Sequence, residues 1–177
     1  MTECFWVLRV LPLMSKLCKN FIFALILTSY SSAAIKMKTN TYKLNEHRDI
    51  NASVFADLIA TSLYEKRFGP YFIQPVVAGL EAKKEGGFKP VIATYDSIGC
   101  KEMSHFAVGG TAADFLYGSC ETYYKEDMNQ DELFETVSQS LMSGIDRDSY
   151  AGWGATVYII TPTEIIVKDI KLSLIHI

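Results

Sequence analysis

The residues best able to do chemistry are few and scattered. Four cysteines, Cys4, Cys18, Cys100 and Cys120, share the chain with three histidines, His47, His105 and His176. No Cys-x-x-Cys pair occurs and no histidines sit at ligand spacing, so a structural zinc site lacks its four soft ligands. The same cysteines are too few and too far apart to staple the fold. Cys100 and His105 lie five apart and could be a thiolate and its base. Such a spacing more commonly reflects packing and strand polarity, because free cysteine is among the most buried residue types. Gly109-Gly110 ahead of Thr111 could turn N–H groups outward as an anion nest. It matches neither a Walker loop nor a dinucleotide fingerprint, and tight strand-to-helix turns use glycine for steric reasons.

The chain around these residues has 177 positions, 49% hydrophobic and 21% charged, the composition of one packed globular domain. That excludes disorder, collagen and a bundle of membrane spans. With 17 Lys+Arg against 20 Asp+Glu, the net charge of −3 gives no concentrated cationic surface to release counterions from phosphates, which argues against nucleic acid as a partner.

The periodicity supplies the elements that must position any site. Val54, Phe55, Leu58, Ile59 and Leu63 form one helical stripe, with Asp49 or Asn51 as N-cap, Lys66 and Arg67 in the last turn, and Gly69-Pro70 as the stop. Val76–Leu80 and Val91–Tyr95 read as a hairpin about Gly86-Gly87, with Pro75 and Pro90 where each strand enters. Further short strands are expected at Ile98–Met103 and Phe106–Val108. Thr111 and Asp114 fit a capping box for a second helix that buries Phe115, Leu116, Cys120 and Tyr123. Asn129 and Glu132 start a third, carrying Leu133, Phe134, Val137, Leu141 and Ile145. Strands at Ala155–Ile160 and Glu164–Ile170, joined around Pro162, complete an α+β arrangement about one core.

The front differs from the rest. Lys16 and Lys19, the apolar run Phe21–Leu27 and the small residues Ser31, Ser32, Ala33 and Ala34 have the layout of a secretory signal. The run is shorter than the roughly 20 apolar residues of a membrane span. Were the chain secreted, Asn51-Ala52-Ser53 would be a glycosylation acceptor; Asn51 is read here as part of a helix start.

Several stretches carry a more specific signal: Leu63-Tyr64-Glu65-Lys66-Arg67-Phe68-Gly69-Pro70-Tyr71 running on to Pro75-Val76-Val77-Ala78-Gly79-Leu80, then Asp96-Ser97-Ile98-Gly99-Cys100, Tyr117-Gly118-Ser119-Cys120-Glu121, Leu133-Phe134-Glu135-Thr136 and Asp146-Arg147-Asp148. In these residues, over about 36 to 170, the sequence resembles the beta subunits of the eukaryotic 20S proteasome core particle. Among those it is most similar to the non-catalytic type-three group, in an N-terminally incomplete form. The resemblance implies an N-terminal-nucleophile hydrolase fold, a four-layer αββα sandwich, here lacking its first strands. It divides the chain into an atypical hydrophobic segment, 1–35, and a partial beta-type domain, 36–177. The missing strands would leave open sheet edges and uncovered apolar surface. The apolar end, 171–177, is unlike the family's polar tail, and both ends are expected to reflect an incomplete or misjoined coding sequence.

Active relatives attack the peptide carbonyl with an N-terminal threonine whose own amine and a nearby lysine move the protons. Both strands bearing these groups would precede residue 36, and nothing in Met1–Ala34 looks like them. Asp148 and Gly152 match family active-site positions. Ala151 stands where active members place a serine, and a methyl group makes no hydrogen bond. No catalytic residue is therefore assigned, and Asp148 is expected to be a structural partner of Arg147 or of a backbone amide. The family also suggests a structural Mg or Ca held by the carbonyls of Ile145, Asp148 and Ala151, with no cofactor required. The implied role is a passive wall segment filling one place in a seven-membered beta ring, in a hetero-oligomeric ring stack with other proteasome alpha and beta subunits, cytoplasmic and nuclear, serving ubiquitin-dependent degradation without nucleic acid or membrane. Tyr71, Phe72, Tyr123, Tyr124 and Trp153 would be interface anchors, Trp153 being more in keeping with ordinary core. The alternatives are an active threonine-type endopeptidase and a small secreted binding protein.

Overall fold

A computed structural model describes residues 21–24, 29–83, 86–152 and 154–170. The basic and cysteine residues of the first twenty positions, Trp153 and the apolar end 171–177 lie outside the described residues.

The helical stripe forms as expected, as α2 (Ala52–Tyr64), with Phe55, Ile59 and Leu63 buried and Asn51 at the N-cap. Val54 is exposed, and the buried side is widened instead by Ala52 and Ala56. The helix ends at Tyr64, before Lys66 and Arg67. Ahead of it lies a further helix, α1 (Ser29–Glu46), which the apolar periodicity does not indicate. Ile35 and Thr39 of α1 are buried, and Thr39 returns its hydroxyl to Ile35 O at 2.9 Å. Lys38 fastens the two helices, donating to Ser62 Oγ at 3.1 Å and to Glu65 at 2.8 Å. The small residues Ser31–Ala34 lie within α1, and the boundary drawn at residue 36 falls inside it.

The expected hairpin is β2 (Val76–Ala82) and β3 (Phe88–Tyr95), paired antiparallel with Val77 opposite Ala93. Gly86 and Gly87 close it at φ of +90° and +89°, the region only glycine enters without strain. Pro90 sits at the third residue of β3 rather than at its entry. β4 (Lys101–Met103) continues the sheet. Phe106–Val108, expected to be a strand, is irregular, and Ser104 N–H reaching Ile92 O at 3.4 Å ends the ladder there. On the other side β1 (Phe21–Ala24) pairs with Val76–Gly79. The sheet order is therefore β1-β2-β3-β4, and the edge of β2 expected to be open is covered over these four residues.

Alternation along β2 divides its contacts between two faces. Val77, with Ala93 and Tyr95, packs under α2 against Phe55, Ala56 and Ile59. Ala78 and Leu80 meet Ile160 of β5 (Ala155–Ile160), which pairs with β6 (Ile165–Ile170). The other side of β5, Val157 and Ile159, takes Leu133 and Val137 of α4 (Gln130–Ile145). Glu132 reaches back to the Asn129 N–H at 3.0 Å, fixing the start of α4 as the sequence indicates. α3 (Ala113–Tyr123) lies against α4, burying Leu116 and Cys120, whereas Phe115 and Tyr123, expected on the buried side, are exposed. Gly144 permits the close approach: a Cβ there would stand 2.3 Å from Leu116 Cδ2.

Candidate functional site

The end of α4 and the loop leaving it contain the residues that match family site positions, Ile145, Asp148, Ala151 and Gly152. Arg147 N–H bonds Gly144 O and Asp148 N–H bonds Ile145 O, each at 3.2 Å, so two tight turns carry Asp148 back toward the start of α3. There Asp148 Oδ2 accepts the Thr111 hydroxyl at 2.5 Å, and Oδ1 accepts the Tyr150 N–H at 3.2 Å. Both carboxylate oxygens are engaged, one by a loop 37 residues away and one by its own turn.

This arrangement corrects the local reading of Thr111. The capping box with Asp114 does not form: Ala112 is the N-cap of α3 and no side chain caps it. The hydroxyl goes instead to a charged acceptor, a hydrogen bond about twice as strong as a neutral one. The glycine pair makes the approach possible. Gly110 takes φ of +101°, and a Cβ on Gly109 would lie 3.1 Å from Val76 Cγ2 and 3.2 Å from Gln74 O. The pair thus serves a tight turn against β2.

Ala151 is half-buried and packs on the cluster of Ala112, Leu116, Leu141, Ile145 and Ala155. Its methyl group is part of that apolar surface, where an uncompensated hydroxyl would cost free energy. Gly152 follows, also half-buried. Of the three carbonyls considered for a cation, that of Ile145 already accepts the Asp148 N–H. Carbonyl oxygens keep a second lone pair and suit a hard ion. Among the described residues no group of three or more His, Cys, Asp or Glu side chains is placed to hold a metal.

The other candidates are separate from this loop. Cys100 is exposed in the turn before β4, where its N–H donates to Asp96 Oδ1 at 2.7 Å. His105 lies beyond that strand with its ring 6.1 Å from Tyr124. Cys120 is buried between α3 and α4; burial pushes its thiol up, against a smaller downward pull from the Ser140 hydroxyl. Ser140 Oγ, itself buried, makes no conventional hydrogen bond among the described residues, so its contact with the thiol is a weak one. Asn51 is exposed at its N-cap, and Ser53, the other end of the glycosylation triplet, bonds Glu81 Oε1 at 3.0 Å. Sequence reasoning missed Thr111 as the partner of Asp148, because no periodicity relates positions so far apart.

With the fold and loop in place, comparison with known proteins supplies the class. Residues 28–160 match the proteasome subunit family, and the chain belongs to that family. Its sequence is similar to proteasome subunit beta type-3 of Picea mariana, 50% identical over 145 residues, covering 81% of this chain and 68% of the relative. It is 54% identical over 131 residues to subunit beta type-3-A of Arabidopsis thaliana, covering 73% and 62%. Against subunit beta type-3 of Saccharomyces cerevisiae it is 49% identical over 138 residues, covering 77% and 66%. The chain spans about two thirds of the length of these relatives.

Proposed function

We propose that the chain is a non-catalytic beta subunit of the proteasome core particle, occupying one place in a beta ring stacked with other alpha and beta subunits and contributing to ubiquitin-dependent protein degradation in cytoplasm and nucleus. The observation that carries this reading is the identity of about half to type-3 relatives from a conifer, a flowering plant and a yeast. The layering supports the finer fold proposal, an αββα sandwich of the N-terminal-nucleophile type. α1 and α2 lie on the outer face of the β1–β4 sheet, α4 lies on the outer face of β5–β6, and Ala78, Leu80 and Ile160 meet between the sheets.

The loop at Asp148 supports the passive role. Asp148 is tied to Thr111 and Tyr150, and Ala151, three residues on, is a packed methyl group that offers no hydroxyl to a proton transfer. The loop then acts as a brace between the end of α4 and the start of α3. A structural Mg or Ca at the carbonyls of Ile145, Asp148 and Ala151 is part of the same proposal. It would stiffen the turn, and it predicts a higher melting midpoint in millimolar Ca²⁺ than in EDTA.

The test of function is complementation: the chain replaces the full type-3 subunit in cells depleted of it, and assembled core particles are sought on native gels. Particles containing the chain are expected, with no covalent labelling of it by an electrophilic peptide inhibitor. A chain found outside any large assembly, or labelled by the inhibitor, overturns the proposal.

A further inference from the structure

We infer that the turn after α2, from Glu65 to Phe72, is a preformed docking surface for a neighbouring subunit presenting an apolar pocket rimmed by carboxylates. The inference rests on the ring placement proposed above and specifies one contact of that ring.

Two aromatic rings stand in water on this segment, Phe68 fully exposed and Phe72 85% exposed. Large exposed aromatics close together are what interfaces use as anchors. The segment is not a loose loop. N–H groups of Lys66, Arg67 and Gly69 bond the carbonyls of Leu63, Tyr64 and Lys66 at 3.0 to 3.1 Å, so successive tight turns order the backbone that carries Phe68. Beyond Pro70, Tyr71 and Ile73 tuck against the α2 core while Phe72 between them turns out. It does so at φ of +52°, a left-handed conformation that an aromatic side chain rarely adopts. A strained residue that holds an apolar ring in solvent points to a function for that ring. A surface already ordered before contact also loses less entropy on binding.

Charge selects the occupant. Glu65 is neutralised by Lys38 at 2.8 Å, which leaves Lys66 and Arg67 as a local positive pair on a chain of net charge −3. Among the described residues neither of the two forms an ion pair. The Arg67 guanidinium lies 5.7 Å from the Phe68 ring centroid, so cation and ring form one unit. The complementary surface is acidic at its edge and apolar at its centre.

The test uses the full chain co-expressed with the other core-particle subunits, with incorporation measured by native mass spectrometry. Phe68→Ser/Phe72→Ser and, separately, Lys66→Glu/Arg67→Glu are each expected to lower incorporation about tenfold relative to the parent chain. Phe115→Ser, removing an exposed ring on α3, is expected to leave it unchanged within about twofold. Resistance to limited proteolysis, equal in all four proteins, separates lost docking from lost folding. If the parent chain enters particles and both double variants enter equally well, the docking inference falls while the ring placement stands. If the parent chain itself never enters, both fall. Self-association of the parent chain that Phe68→Ser/Phe72→Ser abolishes assigns the surface to a second copy and likewise overturns the inference.

Discussion

Removing the Thr111–Asp148 link tests the brace directly. The bond is charge-assisted and 2.5 Å long, and hydrogen bonds to charged groups contribute about 1.5–3 kcal/mol. Thr111 is exposed and Asp148 half-buried, so water competes for both groups and the expectation falls to about 1 kcal/mol. Thr111→Val is therefore expected to destabilise by about that amount, lowering the melting midpoint by roughly 2–4 °C for a chain of this size. Asp148→Ala should cost about 1–2 kcal/mol, because it also strands the Tyr150 N–H. In the double variant the shared bond can be lost only once. The coupling energy from the thermal melts of parent, two singles and double should then be about 1 kcal/mol. A coupling below about 0.3 kcal/mol, the limit at which independent sites add, would refute the assignment of Asp148 as the partner of Thr111.

Three further outcomes follow from named contacts. Ala151→Ser places a hydroxyl on the apolar cluster and should destabilise by about 0.5–1 kcal/mol while conferring no labelling by an electrophilic peptide inhibitor; gain of labelling contradicts the passive role. Gly99→Ala would put a Cβ 2.4 Å from Ala60 O at φ of +89°, so a loss of at least about 2 kcal/mol is expected in denaturant titration, and a silent substitution would show that the turn before β4 does not press on α2. Tyr95 donates to Ala56 O at 2.7 Å, and burial, with a smaller contribution from Asp57, raises its phenol above its ordinary value of 10.0. The unfolded chain then ionises first, so this stabilisation is complete below about pH 10 and is lost as pH rises beyond it. Tyr95→Phe should lower the melting midpoint at pH 8 yet flatten its fall between about pH 10 and 11.5; parallel curves for the two proteins would count against the buried phenol.

Residues that interact with near neighbours were legible without coordinates. The α2 stripe, the Asn129–Glu132 start of α4, the Gly86-Gly87 hairpin and the strand at Ala155–Ile160 all depend on spacings of two to four residues or on local turn chemistry. Burial by periodicity is reliable where a helix has one strongly apolar face, as in α4. It is less so in α3, where Phe115 and Tyr123 fit the helical period but are exposed, and Leu116 and Cys120 are buried. Short apolar runs mislead as well: Phe106–Val108 has strand composition, yet the ladder from β3 has ended before it.

By itself, the sequence determined the helix and hairpin units, the class of proteasome-like subunit they belong to, and the match of Asp148, Ala151 and Gly152 to family site positions. Only the tertiary structure decided that Thr111 abandons its local cap for a carboxylate 37 residues on, that Lys38 joins α1 to α2 through Glu65, and that Phe68 and Phe72 remain in water. The physical reason is common to all three. A local pattern states what a side chain can pair with, whereas which partner wins depends on charge, burial and geometry that exist only after distant segments have packed.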